Sequence, residues 1–261
     1  MASFSYNIVL KTISKDILYH ILSKALFPAK RLQCNKEPSM NPMENILFRA
    51  KDPLSALTHF WGLIAAVSGG FPLIIRAAVH GRSLADLLSL TAFVGGLILL
   101  YAASTAYHAF RLGPAAVKRL KKLDHAMIYL LIAGTYAPVC RLGIGGQVGS
   151  MLMGAVGVLA LVGCAVTLFW VDSPRWLSAA LYIGLGWVCV FALPQIVAAL
   201  AGAPLVLLAG GGVLYTLGGV IYALRLPLPF TRPGFGNHEV FHLFVLAGSL
   251  CHYLMIFIFL A

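Results

Sequence analysis

Long apolar runs alternate with short polar stretches along most of the chain. A helix needs about 20 apolar residues to cross roughly 30 Å of hydrocarbon, so charge-free windows count the crossings. Leu54–Ile75 lies between Asp52 and Arg76, and Leu87–Phe110 between Asp86 and Arg111. A third run, from about Leu123 to Cys140, is short, which puts its polar start at the membrane surface. A Gly-rich loop, Gly143–Gly149, precedes a fourth span at about Ser150–Trp170. Trp176–Leu224 holds no charge. As one helix it would be about 73 Å long at 1.5 Å per residue. It must fold back, and Ala201-Gly202-Ala203-Pro204 is the natural break, giving spans five and six. The seventh is about Asn237–Leu260. The pattern predicts an all-α membrane protein built as a seven-transmembrane helix bundle.

Composition agrees. Residues are 60% apolar and 10% charged, against about 25% charged in a soluble domain. That excludes a soluble fold, and disorder with it. The net charge of +11 raises nucleic acid as a partner. However, the basic residues sit between apolar runs rather than on a soluble face, so the expected partner is the lipid bilayer. Of the 19 Lys and Arg, sixteen fall on the side of the N-terminal tail and three (Arg76, Arg82 and Arg141) on the other. The positive-inside rule then predicts a cytoplasmic N-terminus, an extracytoplasmic C-terminus and a multi-pass protein of the cell membrane. The basic side also suits anionic headgroups.

Residues 1–43 read as a cytoplasmic tail and 44–261 as the membrane domain. In the tail, Ile8, Ile13, Ile17, Ile21 and Leu22 recur at helical spacing around Lys11, Lys15 and Lys24, the pattern of an interfacial amphipathic helix. An equal reading starts the protein at Met40 or Met43. No long apolar run follows the basic residues, so the tail is not read as a signal peptide. The five cysteines form no CxxC pair and read as structural thiols.

Polar groups inside the bilayer are costly, and each is a functional candidate. The predicted orientation sorts them by depth. Thr58 and His59 start the first span, and Ser104 and His108 end the second. Asp124 and His125 start the third; His238, Glu239 and His242 start the seventh. All fall at the cytoplasmic level, and His252 alone is a comparable group in the outer leaflet. His238 and His242, four residues apart, share one helix face and can bind one zinc ion. A catalytic site needs a third protein ligand and an open position, and His108 is the best third ligand. Ser104 lies on the same face as His108, and Asp124 is placed to hold or deprotonate a zinc-activated water. The plainer readings make His59, His125 and His252 interfacial hydrogen-bonding residues. They leave Ser104 bonded to its own helix backbone. Glycine pairs such as Gly69-Gly70, Gly95-Gly96 and Gly210-Gly211-Gly212 read as close-packing sites.

Together these segments resemble the hemolysin III family, bacterial relatives of the adiponectin and progestin receptors. The resemblance runs from about Glu44 to the C-terminus. It rests on Asp52-Pro-Leu-Ser-Ala-Leu-Thr58-His59, on Tyr101-Ala-Ala-Ser104-Thr-Ala-Tyr-His108, and on Leu123-Asp124-His125 with Gly134-Thr135-Tyr136-Ala-Pro138. Gly236-Asn-His238-Glu-Val-Phe-His242 completes it. The family pattern E-x-x-N-x-x-T-H is matched at Thr58 and His59 but departs at Asp52 and Ser55, so no role carries over to those two. The resemblance implies seven helices with a cytoplasmic N-terminus. It implies zinc held by His108, His238 and His242, with Asp124 holding the bound water. It also implies similarity to alkaline ceramidases.

Three functions compete. The first is a zinc-dependent hydrolase of a lipid amide or ester, with Asp124 as base and Ser104 as a donor. The second is an intramembrane metalloprotease in which His238-Glu-Val-Phe-His242 reads as H-E-x-x-H and Glu239 is the base. The third is a haemolysin, channel or receptor in which the zinc is structural. No Lys follows Lys122, which disfavours a retinal Schiff base on the seventh span.

Overall fold

Residues 50–229 and 234–261 are described by a computed structural model in which all regular elements are helical. Seven helices are long and apolar enough to cross a membrane. They are α1 (Pro53–Val79), α2 (Leu84–Ala109), α3 (Pro114–Ile144), α4 (Gly146–Phe169), α5 (Arg175–Ala199), α6 (Ala203–Leu224) and α7 (Asn237–Leu260). The odd-numbered helices begin at one end of the bundle, called proximal below. The tail readings at residues 1–43, and Arg232, lie outside the described residues.

Local sequence explains the starts. Pro53, Pro114 and Pro204 open α1, α3 and α6, where the missing N–H has no partner to lose. At α2 the Ser83 hydroxyl accepts from Asp86 N–H and the Asp86 carboxylate accepts from Ser83 N–H, a capping box. α5 is not uniform: Arg175–Gly186 is α-helical, Trp187–Ala192 is 3₁₀, and Leu193–Ala199 is α-helical again. Pro194 cannot donate an N–H and crowds the carbonyl four residues back, which tightens the turn before it. Gly202, at φ 84°, reverses the chain into α6, within the expected break.

Two expectations need correction. α3 starts nine residues before Leu123, because Gly113-Pro114 is a start signal and Lys and Arg are good helix formers. Lys118, Arg119, Lys121 and Lys122 therefore ride on its first turns rather than in a loop. The Gly143–Gly149 stretch is not a loop either. α3 ends in a π-helical turn to Ile144, Gly145 alone, at φ 65°, makes the connection, and α4 opens on Gly146 at φ 56°.

α2 packs closely on α3. A Cβ on Gly134 would sit 2.6 Å from the Ala92 carbonyl oxygen, and one on Gly96 would sit 3.0 Å from the Leu131 Cα. Gly211 and Gly248 make a comparable crossing of α6 and α7. Gly95, Gly210 and Gly212 have nothing within 4 Å and are not packing sites. Leu90, Phe93, Leu97, Leu131 and Met255 form much of the core. Phe71, Phe169 and Phe191 face outward, as lipid contact requires. Cys140, Cys164, Cys189 and Cys251 are free thiols, as expected.

At the proximal end Asp172, between α4 and α5, pairs with Lys118 at 2.7 Å and Lys121 at 2.9 Å. Hydrogen bonds from Lys118 and then Lys121 hold its carboxyl down to about 2. A depressed carboxyl stabilises the fold above its ordinary value of 3.8, and that contribution is lost as pH falls toward 2. At the other end Arg141 bonds Asp86 at 2.8 Å, tying the end of α3 to the start of α2.

Candidate metal centre

His108 comes from the last turn of α2, and His238 and His242 from the first two turns of α7. Their ligand-type nitrogens all lie within 4.8 Å of one another, and no other such group of three occurs among the described residues. The Nε2 atoms of His108 and His238 are 3.0 Å apart. His108 and His242 are buried and His238 is half-buried.

Partners at the start of α1 fix which nitrogen two of the rings, those of His108 and His242, present. Asp52 Oδ2 lies 2.9 Å from His108 Nδ1. A carboxylate only accepts, so it holds the proton on Nδ1 and leaves the Nε2 lone pair free. Thr58 Oγ1 donates to the Ser55 carbonyl at 3.0 Å and lies 3.2 Å from His242 Nδ1. Its own proton is spent, so the hydroxyl accepts from Nδ1–H, and Nε2 of His242 is again free. Ser55 Oγ donates to Glu239 Oε1 at 2.6 Å, and Glu239 Oε2 accepts from Gly236 N–H at 2.8 Å. Asp52, Ser55 and Thr58 recur every three residues and so share one face. The strand of chain before α1 is strapped to the end of α2, with Asp52 N–H donating to the His108 carbonyl at 2.9 Å and Arg111 to that of Ala50. Lys51 lies over the Tyr107 ring at 3.4 Å.

These residues fit a metal. Three imidazoles converge, two have their outer nitrogens engaged by acceptors, and their soft-to-borderline donor character suits zinc. Three protein ligands also leave room for a fourth, exchangeable one.

His238 and His242 of the triad open on an apolar cavity of about 300 Å³ enclosed mainly by α3, α5, α6 and α7. Asp124, Ser104, His238 and His242 line it, and His108 joins them through its cluster with His238 and His242 rather than through the cavity wall. Asp124 is buried but is not one of the clustered ligand groups. Ser104 neighbours Asp124, yet its hydroxyl makes no well-formed hydrogen bond. It does not bond back to its own helix. His252 donates through Nε2 to the Leu208 carbonyl at 3.1 Å, well away from the triad along α7. His125 lines the cavity. His59 departs from the interfacial reading: it is buried, its ring stacks on His242, and neither of its nitrogens has a partner.

Sequence reasoning missed the roles of Asp52, Ser55 and Glu239. The three-residue spacing of Asp52, Ser55 and Thr58 was a visible signal, but their partners lie 56 to 184 residues away in sequence. These contacts give a first prediction. Asp52→Asn and Thr58→Val should each weaken metal binding by roughly 10–100-fold, read by competition with a chelator. Thr91→Val, which removes only a bond to the Leu87 carbonyl on the exposed face of α2, should leave it unchanged.

Comparison with known proteins adds the lineage. A sequence profile of haemolysin-III-related proteins matches residues 48–253. Hemolysin-3 of Bacillus cereus is 35% identical over 202 residues, 77% of this chain and 88% of that protein. The Hemolysin-3 homolog of Bacillus subtilis is 35% identical over 204 residues, 78% and 92% of the two chains. The adiponectin receptor protein of Drosophila melanogaster is 27% identical over 235 residues, 83% of this chain and 52% of the receptor. All of the candidate metal-centre residues, from Asp52 to His242, fall inside the matched profile. The chain is a multi-pass membrane protein of the haemolysin III family.

Proposed function

We propose that this protein is an intramembrane zinc-dependent hydrolase of a lipid amide or ester, with its site near the cytoplasmic face of the cell membrane. One observation carries the reading: three imidazoles cluster with their ligand nitrogens within 4.8 Å of one another, and two of them, His238 and His242, share the wall of an apolar cavity with Asp124 and Ser104. The apolar cavity suits an acyl chain, and its polar end suits a head group. The Lys and Arg bias supports a cytoplasmic side for that end.

His108, His238 and His242 would hold the ion. Zinc bound there polarises an acyl carbonyl and lowers the pKa of water to near 7. Asp124 takes a proton from the attacking water as its oxygen bonds to the acyl carbon. Ser104 donates to the oxyanion that develops on the carbonyl oxygen. The C–N or C–O bond then breaks, and Asp124 returns the proton to the leaving amine or alkoxide. Asp52 and Thr58 keep two of the imidazoles in the tautomer that the ion needs.

Glu239 does not suit the protease reading, because both of its oxygens are engaged by Ser55 and Gly236. The haemolysin or channel reading, with a structural zinc, draws on the name carried by the Bacillus relatives. It calls for a closed site.

The test is metal analysis and turnover on purified protein, with N-acyl amides and acyl esters of long chains. Wild type is expected to carry one zinc and release free fatty acid. Asp124→Asn is expected to keep the zinc and slow release at least about a hundredfold. Glu239→Gln is expected to stay within tenfold of wild type. A zinc-free wild type, or equal rates for wild type and Asp124→Asn, overturns the proposal. Ion flux through liposomes that persists in both variants would favour the channel.

A further inference from the structure

His59 is a buried polar side chain beside the triad that the site described above leaves unused. It is 3% exposed, and neither ring nitrogen has a hydrogen-bond partner. Buried polar groups are nearly always matched, so an unmatched imidazole asks for an explanation. The ring lies on the second turn of α1, edge-on to Tyr101 at 5.1 Å and face-on to His242. Its centroid is 3.6 Å from that of His242, with the planes 5° apart.

The stack rules out the simplest explanation, a fourth metal ligand. The lone pair of an imidazole lies in the plane of its ring. An ion in the plane of His242 would therefore sit well out of the plane of His59. The triad of clustered nitrogens accordingly omits His59.

What remains in reach of the His59 edge is the cavity, whose wall it shares with His242, Ser104 and Asp124. A neutral imidazole offers one N–H and one lone pair. An acyl lipid whose carbonyl rests at the metal centre brings an acceptor to that edge. We infer that His59 donates a hydrogen bond to the carbonyl oxygen of an acyl amide or ester held in the cavity. This makes it a substrate-contacting residue, and the inference rests on the hydrolase reading for the identity of the ligand. The parallel stack on His242 holds the donor in place before the lipid arrives, so no side chain has to reorganise.

Binding tests this without turnover. The probes are a long-chain methyl ketone, which keeps the carbonyl and resists hydrolysis, and the methyl ether of equal length. Each displaces a fluorescent alkyl reporter from the zinc-loaded full-length protein. His59→Phe keeps a ring stacked on His242 but has no N–H; His59→Gln keeps an N–H donor. His59→Phe should lower the ketone affinity about tenfold and leave the ether affinity and bound zinc unchanged. His59→Gln should recover most of the loss. Three results overturn the inference: unchanged ketone affinity in His59→Phe, equal losses for ketone and ether, or loss of zinc from a folded His59→Phe protein. Ketone preference in wild type without release of fatty acid from any amide or ester would defeat the hydrolase reading and leave the contact standing.

Discussion

Alanine at both His238 and His242 is expected to abolish stoichiometric zinc and, with it, all hydrolysis. The double substitution leaves one imidazole, His108, of the three that converge. Zinc binding by four ligands in zinc-finger peptides amounts to roughly 10–16 kcal/mol, or about 3 kcal/mol for each ligand. Losing two ligands therefore weakens binding by at least roughly 10⁴-fold. Metal analysis of the purified protein reads this directly. A second reading comes from thermal unfolding, because a bound ion stabilises the native state by mass action. Wild type should unfold at higher temperature with zinc and at lower temperature with a chelator, and the double variant should respond to neither. The helices themselves should persist. Both side chains sit on the first turns of α7, whose attachments to α1 through Ser55–Glu239 and to α6 through Gly211–Gly248 are untouched. A folded double variant that still binds one zinc would place the metal elsewhere and remove the basis of the proposed chemistry.

The bundle was legible from charge-free windows because a membrane span is set by length and polarity, both one-dimensional properties. The seventh span falls on Asn237–Leu260 as read from the sequence. α3 was read short because its first turns carry Lys118, Arg119, Lys121 and Lys122, which end an apolar window without ending a helix. The triad was legible too: a four-residue His spacing and one His on another helix at the same level. What stayed hidden depends on contacts between distant segments. Asp52 and Ser55 depart from the family pattern, and only the fold shows Asp52 on His108 and Ser55 on Glu239. The stack of His59 on His242 joins residues 183 positions apart, and no periodicity within α1 encodes it.

Leucine at Gly134 is expected to damage the fold severely without touching the candidate metal ligands. A side chain there meets backbone on α2, with its first carbon 2.6 Å from the Ala92 carbonyl oxygen and 3.3 Å from the Phe93 Cα. Backbone cannot rotate aside as a side-chain tip can, so α2 and α3 must separate. Overpacking of an ordinary core costs roughly 1–3 kcal/mol, and a collision of two helix backbones lies at or above the top of that range. Gly134→Leu should therefore yield little monodisperse protein in detergent, and Gly134→Ala a folded protein with a lowered unfolding midpoint. Gly154→Leu is the matched control: it faces outward on α4 with nothing within 4 Å, and it should behave as wild type. The consequence extends to the chemistry. Gly134 faces Ala92, and Gly96 faces Leu130 and Leu131, each pair one turn from the other in antiparallel register. Continued toward the proximal end, the same register pairs Ser104 with the turn of α3 that carries Asp124. If the proposed zinc is held by His108 on α2 and by His238 and His242 on α7, a Gly134→Ala protein that folds should retain it yet lose turnover as Asp124 shifts against Ser104. Normal turnover in that variant would show that the glycine crossing does not set the register of the two residues.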